Sequence, residues 1–192
     1  MNTQKLAKSY LALLFGIFSL SLHAQTQLPE LGKTPSPIEV SGKDGGSVAD
    51  GSAWKSEDIK GHPWFMVYVD PDESTLNDEL TEALKNEGFH KAFYNSVAII
   101  NLAATWKPNS IINMLLRSKQ KEFPDTTYVN DNNKKLVKDW KLGDDTFDTV
   151  YFDKNNKVLY RKTGKFSKKE IKEIIALIKK NAPKGAKPKL VK

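Results

Sequence analysis

Residues 56–69, SEDIKGHPWFMVYV, decide how this chain folds. Their second half, residues 64–69, is an unbroken run of six apolar residues, mostly β-branched or aromatic. Such a run predicts a strand that is buried on both faces, as in the middle of a parallel sheet. Gly61 and Pro63 come just before it and mark the turn through which the chain enters the strand.

The rest of the chain alternates between strand and helix patterns. Further strands are predicted at residues 38–40, 96–101, 126–130, 149–152 and 158–161. Residues 134–140 form a short helix or a short strand, and the pattern leaves both open. Because strand–helix alternation requires a parallel sheet covered on both faces, and the last two strands form a hairpin, we expect an α/β protein with a central mixed sheet flanked by helices.

Three helices have clear apolar stripes. The first two are predicted over residues 74–88 and 108–122, and the last begins after Ser167, which forms a capping box with Glu170. In the second helix, four apolar residues are expected to face the core: Ile111, Ile112, Leu115 and Leu116.

The first 24 residues have the layout of a secretory signal peptide. Lys5 and Lys8 precede an uncharged apolar run at residues 11–22, and Ala24 follows a patch of small polar residues. The run is too short to span a bilayer comfortably. We therefore expect cleavage after Ala24 and a periplasmic or secreted protein without a stable membrane span, an uncleaved anchor being the alternative.

The remaining 168 of the 192 residues suffice for one domain with a real core. Residues 25–37 hold three prolines and are predicted to be an extended leader. Residues 38–181 are predicted to form the folded domain. Residues 182–192 are rich in Pro, Gly and Lys and are predicted to be a basic, disordered tail.

The pI near 9.3 does not point to nucleic acid. Residues 25–180 contain all 23 acidic residues and 24 of the 30 basic ones, so the body of the chain is nearly neutral. The excess basic residues lie in the predicted signal peptide and tail, where charge is usually only solvated. No nucleic-acid partner is predicted.

The chain contains no cysteine. This excludes disulfides, a thiol nucleophile and thiolate metal sites. Beyond the predicted signal peptide only His62 and His90 remain, and a metal needs three or four convergent donors. We therefore predict no catalytic residue, no metal site and no cofactor.

Residues 56–69 resemble the entrance and central strand of redoxins and peroxiredoxins. Across roughly residues 31–180 the chain is similar to the periplasmic YtfJ-type family, thioredoxin-like proteins that lack the C-x-x-C motif. Supporting segments are residues 60–61, 121–124, 128–131 and 151–154, with Gly164 leading into the last helix. The resemblance implies a thioredoxin-like fold of the redoxin type, without thiol redox activity.

Two alignments with thioredoxin-like proteins compete. Residues 102–110, LAATWKPNS, look like the turn that carries C-x-x-C, with Lys107 and Ser110 in place of the cysteines. That alignment places residues 97–101 directly beside residues 149–152. In the redoxin alignment the strand at residues 64–69 leads into the active-site turn instead.

We favour the redoxin alignment, because the turn with Gly61 and Pro63 lies just before Trp64 and agrees with several neighbouring elements. It makes residues 70–75 the degenerate active-site turn. It also predicts a strand order of 126–130, 97–101, 64–69, 149–152 and 157–161.

Ligands of α/β proteins bind beyond the carboxyl ends of the strands. The candidate binding surface there consists of Asp70, Asp72, Glu73, Trp106, Lys107 and Asp148. The three carboxylates after residue 69 could simply complement a helix dipole, or form a cation site or a general acid–base pair. Trp106 could anchor a partner or pack in the core. Asp148 lies near the position where relatives carry a cis-proline.

The sequence thus favours an exported, non-catalytic redoxin-like domain that binds an envelope protein or a small ligand. The alternative is a non-thiol enzyme or a cation-binding protein that uses the carboxylates of the degenerate turn. A structural role in the envelope is a third possibility.

Overall fold

The structure is a computed structural model that describes residues 29–189, so the predicted signal peptide at residues 1–24 lies outside it. The strands are β1 (Glu39–Val40), β2 (Gly45–Ser47), β3 (Trp54–Lys55), β4 (Trp64–Val69), β5 (Asn95–Asn101), β6 (Thr126–Asp131), β7 (Phe147–Phe152) and β8 (Val158–Thr163). The α-helices are α1 (Asp78–Asn86), α2 (Asn109–Glu122), α3 (Lys135–Trp140) and α4 (Lys168–Asn181). Short 3-10 turns lie at Gly42–Asp44, Ser56–Ile59 and Pro71–Glu73.

The six-stranded sheet has the order β2-β6-β5-β4-β7-β8. β4 pairs in parallel with β5 and antiparallel with β7, so that Val67 lies between Ala98 and Thr149. The redoxin alignment and its strand order are therefore confirmed. The alternative alignment is wrong, because the neighbours of β5 are β4 and β6 rather than β7.

The edge strand β2 was not predicted from the sequence, which indicated a flexible turn at residues 42–51. Its two glycines carry little strand signal, since glycine is depleted in strands. The pairing nevertheless requires Gly45, because a Cβ there would lie 1.8 Å from the carbonyl oxygen of Asn130, and its φ is +127°. The tight approach of β2 to β6 thus depends on glycine.

The two faces of the sheet are covered by different elements. Trp64, Met66 and Tyr68 on β4 point to a core that includes α3 and the small β1–β3 sheet. The alternate residues Phe65 and Val69 point to the opposite face, which α1, α2 and α4 cover. Both faces of β4 are buried, as its apolar run predicts.

Residues 135–140 are a helix, which settles the point that the sequence left open. The Asp131 carboxylate at the end of β6 accepts hydrogen bonds from the backbone N–H groups of Asn133, Lys135 and Leu136. These bonds satisfy donors that a helix start leaves free. The side chain of Asp131 therefore fixes where α3 begins.

Only half of the predicted apolar stripe of α2 faces the core. Ile112 and Leu116 are buried, whereas Ile111 is 49% and Leu115 57% exposed. The sequence places an apolar pair at each turn of this helix, and the prediction that both members face inward was wrong. Neighbouring residues lie on different sides of a helix, so only one member of each pair reaches the sheet.

Both ends of the described chain contact the domain. In the predicted leader, the N–H of Gly32 donates to the carbonyl of Val158, and the N–H of Val158 donates to the carbonyl of Lys33. In the predicted tail, the structure differs from the expected disorder over residues 182–189. The N–H of Lys189 donates to the carbonyl of Gly88, and Ala186 packs against the core. No helix between residues 29 and 189 is long and apolar enough to cross a membrane.

Candidate functional site

Two turns meet beyond the carboxyl ends of β4 and β5. The first, residues 70–75, contains the 3-10 turn Pro71–Glu73, and the second, residues 102–108, leads into α2. Because β4 and β5 are parallel neighbours, both turns leave the sheet at the same edge. The sequence-based candidates Asp70, Asp72, Glu73, Trp106 and Lys107 all lie on these two turns.

Asp72 joins the two turns. Its carboxylate accepts a hydrogen bond of 2.9 Å from the hydroxyl of Thr105 and pairs with the ammonium group of Lys107. The Thr105 hydroxyl also accepts a bond from the backbone N–H of Lys107. We call these three residues, Asp72, Thr105 and Lys107, the clasp. The hydrogen bonds from Lys107 and then Thr105 hold the pKa of Asp72 below its usual range, so the clasp keeps its negative partner at neutral pH.

Asp70 supports the first turn from inside. Its carboxylate accepts a hydrogen bond of 2.8 Å from the N–H of Asp72, and its own N–H donates to the carbonyl of Thr146. The residue is only 5% exposed, and burial raises the pKa of its carboxyl group. Asp70 therefore caps the 3-10 turn and is not an open ligand.

Glu73 and Asp145 are two further carboxylates at this edge. Glu73 is half-buried and Asp145 is exposed, and within residues 29–189 neither side chain forms an ion pair. The negative charges of Asp72 and Asp145 help to raise the pKa of Asp70. Across the described range there is no group of three His, Cys, Asp or Glu side chains that could hold a metal ion.

Trp106 projects from the second turn into solvent. It is 88% exposed, whereas the other three tryptophans, Trp54, Trp64 and Trp140, are buried. Of the two possibilities left by the sequence, core packing is therefore wrong. The residue lies between two members of the clasp, Thr105 and Lys107, and this fixes its backbone while the indole remains free.

Asp148 lies inside the protein and is not part of the surface. It is on β7 with no exposure, and its carboxylate accepts bonds from the N–H of Gly143 at 2.6 Å and the hydroxyl of Thr163 at 2.5 Å. Burial raises the pKa of its carboxyl group. The prediction that Asp148 belongs to the exposed binding surface was wrong. Its carboxylate points inward and links the loop before β7 to β8.

A polar group at the end of β5 was not predicted from the sequence. The Asn101 amide donates to the backbone and side-chain oxygens of Asp144 at 2.9 and 3.0 Å, and Lys134 donates to the same carboxylate at 2.6 Å. A polar residue that closes an apolar run was the available signal. These contacts hold the loop before β7 against the end of β5.

The edge combines an exposed aromatic side chain with charged side chains. It offers one free aromatic side chain and charged groups whose positions are fixed by hydrogen bonds. No sulfur nucleophile exists in the chain, so the site contains none of the groups that perform thiol–disulfide exchange or thiol-dependent peroxide reduction.

Comparison with known proteins gives three kinds of similarity. The model of the family described as "Bacterial protein of unknown function (YtfJ_HI0045)" matches residues 43–181. The uncharacterized protein YtfJ of Escherichia coli (strain K12) is 24% identical over 157 residues, which cover 80% of this chain and 84% of that protein.

Several solved structures share this fold. A candidate protein disulfide isomerase from Bacteroides thetaiotaomicron superposes with a TM-score of 0.60 at 12% identity, covering 82% of this chain and 92% of the other. A SCO1/SenC family lipoprotein from Bacillus anthracis str. Ames superposes with a TM-score of 0.52 at 15% identity, covering 79% of this chain and 96% of the other. These likenesses show that the fold is thioredoxin-like.

Proposed function

Because this chain belongs to the YtfJ_HI0045 family of bacterial proteins and has a thioredoxin-like fold without cysteine, we propose that it is a non-catalytic binding protein of the cell envelope. Its partner is another protein, which it recognises with Trp106 and the clasp at the edge where β4 and β5 end. Export is part of the proposal and rests on the signal-peptide layout of residues 1–24.

One observation carries the proposal, namely the 88% exposure of Trp106 between two hydrogen-bonded neighbours. Exposing a tryptophan to water costs free energy that a monomeric protein avoids by burying it. Tryptophan is also among the residues most enriched at binding hot spots. A side chain on a backbone that is already ordered loses less conformational entropy on binding than one on a mobile loop.

The chemistry of the edge favours recognition over catalysis. Asp72 is paired with Lys107, and Asp70 is buried and caps the turn. That leaves Glu73 and Asp145 as the open carboxylates, and a general acid or base needs a partner group that tunes its pKa. The alternative of a non-thiol enzyme or a cation-binding protein therefore rests on Glu73 and Asp145, which within residues 29–189 have no basic side chain paired with them.

Affinity purification from the native envelope tests the proposal. The tagged protein should retain a specific partner, and Trp106→Ala should lose most of it. Leu31→Ala is the matched control, because Leu31 is also a large apolar residue and is 56% exposed, but it lies in the leader. If both variants retain the partner equally, this edge is not the binding surface. If the purified protein turns over a substrate and Asp72→Ala abolishes that activity, the enzyme alternative replaces the proposal.

A further inference from the structure

The outward face of α2 carries most of the exposed apolar side chains. In the described part of the chain, the large apolar residues with high exposure are Leu31, Trp106, Ile111, Met114 and Leu115. Single exposed apolar residues need no explanation, but four of these five fall within ten consecutive residues. Ile111, Met114 and Leu115 lie three and four residues apart and so form one continuous apolar ridge along the helix.

A row of positive charge runs beside this ridge. Arg117 and Lys121 are exposed and four residues apart, and within residues 29–189 no acidic side chain pairs with either. The acidic residue of α2, Glu122, is paired with Lys119, and the first turn of the helix has no acidic residue. Two like charges at this spacing repel each other. An anionic surface would remove that repulsion.

The protein surface beside the charged row is hollow. Two adjoining shallow hollows of about 520 and 440 Å³ lie on the charged side, and both are lined by Arg117 and Lys121. Ser110 and Asn113 add polar groups to the first hollow. Met114 of the ridge also lines the first hollow, whereas Ile111 and Leu115 line neither hollow and are exposed on the helix beside it. A second copy of the chain fits poorly, because a twofold contact would place these cations close to their own counterparts.

We propose that the outward face of α2 docks on the surface of an anionic lipid bilayer. The ridge of Ile111, Met114 and Leu115 enters the boundary between headgroups and acyl chains. Arg117 and Lys121 lie at the headgroup level, where the hollows beside them receive lipid phosphates. An apolar stripe with basic residues along one side is the pattern by which amphipathic helices lie in a membrane interface.

This inference does not depend on the proposed protein partner. Trp106 lies five residues before Ile111, on the turn that leads into the same helix, so docking would bring the clasp close to the bilayer. The protein would then meet partners that are themselves held at the membrane. The two proposals use different residues and can fail separately.

Co-sedimentation with vesicles tests the inference directly. The full-length protein is mixed with vesicles of equal parts phosphatidylglycerol and phosphatidylcholine, and with vesicles of phosphatidylcholine alone. We expect binding to the first that weakens with salt, and little binding to the second. Arg117→Glu/Lys121→Glu should lower binding about fivefold or more for each cation. Met114→Gln/Leu115→Gln should lower it about tenfold or more.

Matched variants control for charge and polarity. Lys168 and Lys172 on α4 are also exposed and four residues apart, so Lys168→Glu/Lys172→Glu repeats the change in charge on another helix. Leu31→Gln repeats the loss of an exposed apolar residue. Both controls should bind like the unchanged protein. All variants share the same amino terminus, so any difference among them reports on the helix that was changed.

Trp106 emission should also shift to shorter wavelength on binding, since the other three tryptophans are already buried.

Three results would overturn the inference. The first is the absence of binding to phosphatidylglycerol vesicles, and the second is equal loss in the α4 control. The third is an acidic envelope protein whose capture depends on Arg117 and Lys121 while vesicles are not bound, which would assign the face of α2 to a protein instead. In none of these cases would the test with Trp106→Ala be affected.

Discussion

The hydroxyl of Thr105 donates a hydrogen bond of 2.9 Å to the carboxylate of Asp72 and so joins two turns that are 33 residues apart in the chain. The redoxin alignment implies that thiol-active relatives carry their reactive cysteines at this edge of the sheet. Here it carries an aspartate held by a hydroxyl and an ammonium group. These contacts position side chains, and the chain provides no thiol for them to activate.

The clasp should contribute little to the stability of the whole domain. The side chains of Asp72 and Lys107 are 40% and 43% exposed, and exposed pairs are largely screened by water. Asp72→Ala and Lys107→Ala should therefore leave the melting temperature nearly unchanged, like Lys119→Ala at the surface pair with Glu122. Both should weaken capture of the partner. A large drop in melting temperature for the clasp variants alone would show that the contacts are structural.

Removal of the α4 cap should destabilise the protein measurably. The Ser167 hydroxyl accepts from the N–H of Glu170, whose carboxylate accepts from the N–H of Ser167. Ser167→Ala should lower the free energy of unfolding, measured with urea, by about 1 kcal/mol. Ser118→Ala, at an exposed helical serine of α2 that caps nothing, is the control and should be neutral. Equal effects of the two changes would contradict the assignment of the cap.

The carboxyl group of Glu170 should titrate with a pKa of about 2, chiefly because Lys162 donates to it and also because Ser167 does. A lowered folded pKa stabilises the fold above the ordinary value of 4.5, and this contribution is lost as pH falls toward 2. Side-chain NMR titration checks the value. A pKa near 4.5 would show that the contacts with Lys162 and Ser167 are absent in solution.

Asp148 should make the protein more stable in mild acid. Burial raises its folded pKa above the usual 3.8, so the protonated form is favoured by folding. The contribution of this carboxyl group to the free energy of unfolding is fully present below pH 3.8 and is lost as the pH rises through the folded pKa. Asp148→Asn, which keeps an oxygen acceptor, should flatten the pH profile of urea unfolding above that value. Asp148→Ala should cost about 1–3 kcal/mol, because it leaves the N–H of Gly143 unpaired. An unchanged pH profile in the Asn variant would contradict the role assigned to this carboxylate.

Gly88 should hold the carboxyl-terminal segment in place. Its φ is +68°, and a Cβ there would lie 2.1 Å from the carbonyl oxygen of Lys189. Gly88→Ala should release this segment, measured as faster hydrogen exchange at the amide of Lys189. Gly51 has a φ of +75° and open space around it. Gly51→Ala should therefore lower the free energy of unfolding by the same backbone term, about 1–2 kcal/mol, without affecting the carboxyl-terminal segment. Equal exchange in both variants would rule out the docking of the segment on Gly88.

The sequence predicted the parts of the fold that depend on local pattern. The apolar run of β4 and its entrance at Gly61 and Pro63 indicated the central strand, and the capping box located the start of α4. The sequence did not reveal β2, because its pairing depends on the close approach of Gly45 to Asn130. The inward face of α2 was also ambiguous, since each turn offers two adjacent apolar residues.

The candidate site was predictable to the same degree. Parallel neighbouring strands must leave the sheet at one edge, which is why the turns with Asp72 and Lys107 could be placed together. The bond from Thr105 and the burial of Asp148 could not be foreseen. Each depends on which residues a folded neighbour presents, such as Gly143 and Thr163 around Asp148.

Site-specific photo-crosslinking in living cells can show whether the edge where β4 and β5 end contacts a partner protein. A photoreactive amino acid replaces Trp106, and in a second strain it replaces the exposed leader residue Leu31. We predict that position 106 yields a discrete protein adduct which is lost when Asp72→Ala is added, and that position 31 does not yield this adduct. Absence of an adduct at position 106, or the same adduct at both positions, would show that this edge of the sheet does not recognise a partner protein.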